Sequence, residues 1–416
     1  MQRRMPPSAP TPNLFAGAGV ARIGDDFTDR ARERAFIGQA LRTPRGHLVV
    51  VGPRRIGKSS LLRAVQDDVA RKKGPPVLYI DLWTASTIED MTTRLATAAA
   101  RALGRRWTDL VRTLAQRLEF KFEVSEQAGG VLVPVPTIGL RDAPRSAQRQ
   151  RLVDALDALD DLARSHKGHL GVILDEFQEI ERLGSDSDAT PGTGAMRQLR
   201  AAIQHHAHVT YVFAGSDRVL IDRLHAPKDG PLHNLARRYE IGPIDPMHLA
   251  KWIEERFAKM GIRAKGRGEE VIALAGPRTR DVRALAETAA DRARGTRTLA
   301  PEALAESMVE IAQQRRSQYE TDWKALTALQ QNCLRAVASG EVRLTAVAVR
   351  THFALGDTSR TAKSLATLVD RDILVRDGTR FACDDPFYRT WVAVTTLGDV
   401  GARPGRSAPT TAAKKA

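Results

Sequence analysis

Cysteine is almost missing from this 416-residue chain, which holds only Cys333 and Cys383. That scarcity argues against a disulfide framework or a cysteine-based zinc site and fits a reducing, cytoplasmic setting. No apolar run approaches the roughly 18 residues that span a bilayer, so no membrane partner is expected. The opening Met1-Gln2-Arg3-Arg4-Met5-Pro6-Pro7 has basic residues but no apolar stretch behind them. No secretory leader is expected there. Internal repeats of fixed period are also missing, which leaves no basis for a solenoid or propeller. Acidic residues are in deficit, 49 Asp+Glu against 64 Lys+Arg, and the net charge is +15. The excess points to an anionic partner such as nucleic acid, although an arginine-rich composition also arises without one.

What is present suits two or three globular domains. The length exceeds one ordinary core, and a hydrophobic content of 42% rules out a wholly disordered chain. Residues 1–20 and 401–416, rich in small residues and Pro, read as a flexible lead-in and a disordered basic tail. Between them, His47–Val51, Val77–Ile80, Leu170–Leu174 and Val209–Phe213 are short, β-branched and unalternating, the signature of strands buried on both faces. Leu61, Leu62, Val65 and Val69 follow the first run at helical spacing, and Gly74-Pro75-Pro76 ends that helix. Strand, helix and strand in this order predict a parallel α/β core over residues 21–245. A hairpin around Gly129-Gly130, within 119–140, is expected as an insertion in that layer. Helical patterns alone, such as Leu249, Trp252, Ile253, Phe257 and Met260, predict a separate helical domain over 246–320. A final unit is expected over 325–396.

The strongest chemical signal is Gly52-Pro53-Arg54-Arg55-Ile56-Gly57-Lys58-Ser59, a full match to the phosphate-loop pattern between a buried strand and an amphipathic helix. Glycines let backbone N–H groups turn around phosphate oxygens, and the helix N-terminus adds its dipole. Lys58 supplies a point charge, and the Ser59 hydroxyl can ligate magnesium. Val172-Ile173-Leu174-Asp175-Glu176 is an apolar strand ending in two acids. There Asp175 can hold magnesium through water and Glu176 can polarise an attacking water. The pair favours hydrolysis over transfer to a small metabolite. Ser216, at the end of Tyr211–Gly215, can sit beside the γ-phosphate. Arg238, and the arginines of Gly276-Pro277-Arg278-Thr279-Arg280-Asp281-Val282-Arg283, can add positive charge; ordinary surface charge is the competing reading of each.

These stretches together resemble the archaeal-type predicted ATPases, a branch of the AAA+/STAND P-loop ATPases. Phe27-Thr28-Asp29-Arg30-Ala31-Arg32-Glu33 is similar to the family's Phe-x-Gly-Arg-x-x-Glu opening near the adenine, with Asp29 in place of glycine. Gly52 to Ser60 resembles its phosphate loop, Leu174-Asp175-Glu176-Phe177-Gln178 its acidic strand end, Phe213–Ser216 its sensor strand, and Pro231–Ile244 the segment after it. Cys383-Asp384-Asp385-Pro386, with Trp391, resembles the family's winged-helix ending. The resemblance implies a P-loop core with a helical lid and a C-terminal winged helix-turn-helix, binding ATP and Mg2+. It assigns Gly52, Pro53, Arg54, Arg55, Ile56, Gly57, Lys58, Ser59 and Ser60 to the phosphates. Ser59 and Asp175 fall to magnesium, Glu176 to base catalysis and Ser216 to sensing. Arg283 is the lid arginine, with Arg278 as its competitor, and Arg238 is the one offered to a neighbouring subunit of a homo-oligomer.

The last unit is a winged-helix pattern in its own right. Leu344–Phe353 and Thr358–Val369 fit two helices, and Asp377-Gly378 is a favoured two-residue hairpin turn. The second helix would enter a DNA groove with Arg376 or Arg380 near phosphate, or the unit would contact protein instead. Two purposes follow: an ATP switch coupled to double-stranded DNA, or a signalling or defence switch whose winged helix meets a protein partner. A small-molecule kinase explains neither Asp175-Glu176 nor the winged helix.

Overall fold

The computed structural model describes residues 12–17, 28–103, 121–127, 131–137, 145–183, 193–216 and 232–398. Phe27, residues 119–120 and Gly129-Gly130 of the expected hairpin, Pro231 and the 401–416 tail, all used above, lie outside the described residues. The chain divides into two compact units, one of residues 21–242 and one of residues 1–20 with 243–416.

In the first unit, helix α1 (Ala31–Arg42) precedes β1 (Leu48–Val51), α2 (Lys58–Arg71), β2 (Val77–Asp81) and α3 (Ile88–Leu103). Strands β3 (Lys121–Gln127) and β4 (Val131–Thr137) follow, then α4 (Arg145–Ser165), β5 (Leu170–Asp175), α5 (Thr193–Ile203), β6 (Val209–Gly215) and β7 (Arg237–Glu240). Five strands form one parallel sheet in the order β2-β5-β6-β1-β7. Strand β1 shows why its sequence does not alternate. Val49 and Val51 join the core under α3, α4 and α5, while Leu48 and Val50 join the core under α1 and α2. Both faces are covered, so every position is apolar, and each such side chain contributes about 2 kcal/mol on burial. The hairpin exists, but among the described residues β3 and β4 pair with each other, antiparallel, as a separate two-stranded sheet. That corrects its expected place inside the main layer.

The second unit contains α6 (Pro246–Lys259), α7 (Gly268–Ala275), α8 (Thr279–Ala293), α9 (Pro301–Gln314), α10 (Arg316–Lys324) and α11 (Ala328–Ala338). After them come α12 (Val347–Phe353), α13 (Thr358–Asp370), the hairpin β8 (Leu374–Asp377) and β9 (Arg380–Cys383), and α14 (Pro386–Val392). Aspartates cap three of these helices: Asp245 accepts from the His248 amide, Asp357 from Arg360 and Asp385 from Phe387 and Tyr388. The helical domain and the winged helix do not have separate cores. One apolar cluster runs from Leu249, Phe257 and Leu285 through Ile311 and Leu334 to Leu368, Phe387 and Trp391. The boundary expected between 246–320 and 325–396 is therefore a change of local pattern inside one packed unit. Residues 12–17 also depart from the flexible lead-in expected for 1–20, because Phe15 is fully buried in this same cluster.

Candidate active site

The phosphate loop leaves the end of β1 between two neighbouring strands. The Gly52 amide donates to Gly215 O at 3.4 Å, and the Ile241 amide donates to Val51 O at 2.7 Å. A Cβ on Gly52 would lie 2.8 Å from Ile241 O, so close backbone approach demands glycine here. Gly57 takes a φ of 92° just before α2, a conformation only glycine adopts freely, and Arg55 has a φ of 66°. The loop thus turns into the first helical turn, where Lys58 is buried and Ser59 and Ser60 are half-buried. Pro53 and Arg54 are exposed, while Ile56 is packed into the core under α2. The Lys58 ammonium donates to Gly52 O (2.8 Å) and Pro53 O (3.0 Å). Burial lowers its pKa, the carboxylates of Glu176 and Asp175 push it back up, and Arg54 lowers it further. Lys58 and both acids therefore share one electrostatic neighbourhood.

The parallel register brings the other groups to the same sheet edge. Val51 pairs with Gly215, and Phe213 pairs with Leu174, so the ends of β1, β6 and β5 lie side by side. Asp175 is 1% exposed, and its two oxygens accept from the Glu176 amide (3.0 Å) and the Tyr79 hydroxyl. Burial, followed by the Asp175 charge and that hydrogen bond, raises the Tyr79 pKa, which keeps the phenol a donor. Arg63 lies over the Tyr79 ring at 3.5 Å and fixes it from the other side. Glu176 follows with left-handed backbone, φ 51° and ψ 46°. Such strain is paid for by surrounding structure and is frequent where a side chain must be aimed.

Glu176 Oε2 accepts from the Gln178 side-chain amide and from Ser216 Oγ (3.2 Å). Gln178 also donates to Ser216 Oγ (3.3 Å), and its Oε1 accepts from the Ser216 amide (3.3 Å). Glu176, Gln178 and Ser216 form a closed triangle, so the structure brings the expected base and the expected sensor into contact. Gln178 and Tyr79 were not singled out as site residues in the sequence. A glutamine three positions past a strand has no chemical signature of its own. The tyrosine of β2 could have been found only from the β2–β5 pairing that sets Asp81 opposite Asp175.

The arginines are placed differently. Arg238 is half-buried on β7, the edge strand, in register with Val49. In the other unit, Arg278 forms an ion pair with Asp384 and also donates to its carbonyl at 3.0 Å, both side chains being mostly buried. Arg283 is buried on α8, where its guanidinium donates to Phe15 O at 3.1 Å beside the Trp252 ring. Asp29, where the family pattern has glycine, keeps a glycine-like φ of 58°. The next residue, Arg30, is buried, paired with Glu33 at 2.8 Å and bonded to Gly242 O at 2.7 Å.

Magnesium suits the donors available. Ser59 and Asp175 are hard oxygen ligands, and Mg2+ is ordinarily held by one or two carboxylates together with substrate phosphates. No cluster of three or more His, Cys, Asp or Glu that could hold a metal ion occurs among the described residues. No helix among the described residues is long and apolar enough to cross a membrane.

Comparison with known proteins agrees with this geometry. The AAA ATPase domain matches residues 27–213, and a probable winged helix domain matches residues 317–394. No curated protein matches the chain in sequence. In fold, the chain is similar to the Walker-type ATPase PABY2304 of Pyrococcus abyssi, with a TM-score of 0.61 at 18% identity over 91% of this chain and 99% of that one. It is also similar to the Aeropyrum pernix ORC2 protein in its ADP form, with a TM-score of 0.51 at 14% identity over 90% of this chain and 93% of that one. The parallel sheet with its phosphate loop and the two family matches show that the chain carries an AAA ATPase domain followed by a C-terminal winged helix domain.

Proposed function

We propose that the chain binds ATP, hydrolyses it with Glu176 as general base, and uses nucleotide state to control how its winged helix engages double-stranded DNA. The observation that carries the reading is the Glu176–Gln178–Ser216 triangle at the sheet edge shared with Lys58. A carboxylate fixed by two neutral donors can accept a proton from water, and Ser216 can report the γ-phosphate by losing its bond to Glu176. Backbone N–H groups of residues 54–57 and the α2 N-terminus cradle the phosphates, and Lys58 exchanges its two loop carbonyls for phosphate oxygens. Bound Mg2+, held by Ser59 and Asp175, would neutralise charge that develops on the phosphate oxygens. Tyr79 and the Glu176 amide hold the Asp175 carboxylate in place. Arg283 is the lid residue assigned to the γ-phosphate, and Arg238 the one offered to a second copy in a homo-oligomer. Arg278, committed to Asp384, acts instead as a clamp inside its own unit.

For DNA, α13 exposes Ser359, Arg360, Ala362 and Lys363, and the wing exposes Arg376 and Arg380. The basic groups suit phosphates, and the short neighbours offer little to read base edges. Binding is thus expected to be phosphate-dominated and to weaken steeply with salt. The test is ATP turnover with and without duplex DNA over a salt series. DNA stimulation that fades with salt supports the reading. Turnover indifferent to DNA at every salt concentration favours the second reading, a switch whose winged helix meets protein. The core shared by winged helix and helical domain suits that reading too, because it packs the pair as one unit.

A further inference from the structure

We propose that residues 12–17 are a releasable strap that sequesters Arg283 on the helical domain and that nucleotide binding displaces it. The described segment is short, and its docking includes a buried aromatic anchor and several polar contacts. Phe15 is fully buried, with its ring 4.9 Å from Phe257 and 5.9 Å from Trp252, edge-on to the latter. Asn13 closes the turn by accepting from the Phe15 amide through Oδ1 (3.0 Å) and from the Ala16 amide through its carbonyl (3.1 Å). The Asn13 side-chain amide donates to Glu287 O and Asp291 Oδ1, both at 3.0 Å, and the Gly17 amide donates to Glu287 Oε1 at 3.1 Å.

Two arginines grip the strap by its main chain. Arg256 donates to Leu14 O at 3.0 Å and Arg283 to Phe15 O at 3.1 Å, and both guanidiniums lie over the Trp252 ring, at 4.5 and 5.9 Å. A hydrogen bond from a guanidinium to a carbonyl is charge-assisted on one side only. A phosphate oxygen makes a stronger, doubly charged bond to the same group. The Phe15 carbonyl therefore holds Arg283 firmly enough to bury it but loses to a phosphate. Where the strap and a phosphate compete for Arg283, each weakens the other by the same factor.

This inference rests on the Arg283 assignment proposed above, and its test separates the two. In the wild-type chain, amide hydrogen exchange of residues 14–17 is followed with and without a non-hydrolysable ATP analogue, whose binding is measured in the same sample. Exchange is expected to rise several-fold when the analogue binds. In the full-length Phe15→Ala variant, analogue affinity is expected to rise several-fold, and a synthetic peptide of residues 11–18 is expected to reverse the gain. Adding Arg283→Ala to Phe15→Ala is expected to erase both effects. If the analogue binds while strap exchange stays unchanged, the strap inference is wrong and the ATP reading stands. If the analogue does not bind at all, the ATP reading fails and strap release fails with it. Should Phe15→Ala not fold, the wild-type exchange decides alone.

Discussion

At the edge of the core sheet, reactive groups are positioned by backbone. Gly52 is forced by Ile241 O, Gly57 turns the chain into α2, and the β5–β6–β1 register delivers Asp175 and Ser216 to the same edge. In the helical unit, charged groups are positioned by other side chains and by a docked segment, Arg278 by Asp384 and Arg283 by Phe15 O. The first kind of site is built into the fold. The second can be rearranged by exchanging partners, which is what a switch requires.

That contrast can be broken first at Arg278. If it is a clamp, Arg278→Ala strands the mostly buried Asp384 carboxylate and costs about 3 kcal/mol of stability. Thermal unfolding measures the loss, and nucleotide affinity of the folded variant should stay unchanged. A variant of undiminished stability with weakened ATP binding would move Arg278 to the nucleotide.

A second test concerns the core away from the site. The His47 ring accepts from the Tyr211 amide at 3.0 Å, so it must be neutral there. Burial first, then His206, His169 and Arg45, lower its pKa from 6.5 to about 4. The folded value lies below the unfolded one, so the neutral ring stabilises the fold above pH 6.5. That contribution, about 3 kcal/mol, is lost as pH falls from 6.5 towards 4. Denaturant titrations across that window should show the slope, and His47→Gln should flatten it.

Tyr79→Phe tests the support of Asp175 and should cost about 2 kcal/mol, the worth of a hydrogen bond to a charged acceptor. Turnover should fall at fixed magnesium and recover in part as magnesium is raised. The smallest effect is expected at Asp29→Gly. Relief of the left-handed φ should stabilise the first unit by no more than about 1 kcal/mol, read as a small rise in Tm.

The same contrast explains what could be read from the chain. The phosphate loop was legible because its chemistry is backbone geometry, and geometry dictates glycine at fixed spacing. Strands β1, β2, β5 and β6 were legible because burial on both faces leaves continuous apolar runs. Gln178 was hidden, since its role arises only when β5 and β6 lie side by side. Arg278 and Arg283 were recognisable as arginines, but their partners lie 106 and 268 residues away in the chain, and no local pattern encodes such contacts. Phe15 stood in a Pro-, Ala- and Gly-rich stretch whose composition suggested flexibility, and one buried ring overrode it.

The central claim is that the Glu176–Gln178–Ser216 triangle hydrolyses ATP held by the phosphate loop. The most direct test is steady-state turnover and equilibrium ATP binding measured together for wild type and Glu176→Gln. Loss of the base should lower turnover about 10²- to 10⁴-fold while ATP binding is kept. Wild-type turnover that survives the substitution would contradict the assignment of the base, and a wild-type chain that binds no ATP would contradict the site as a whole.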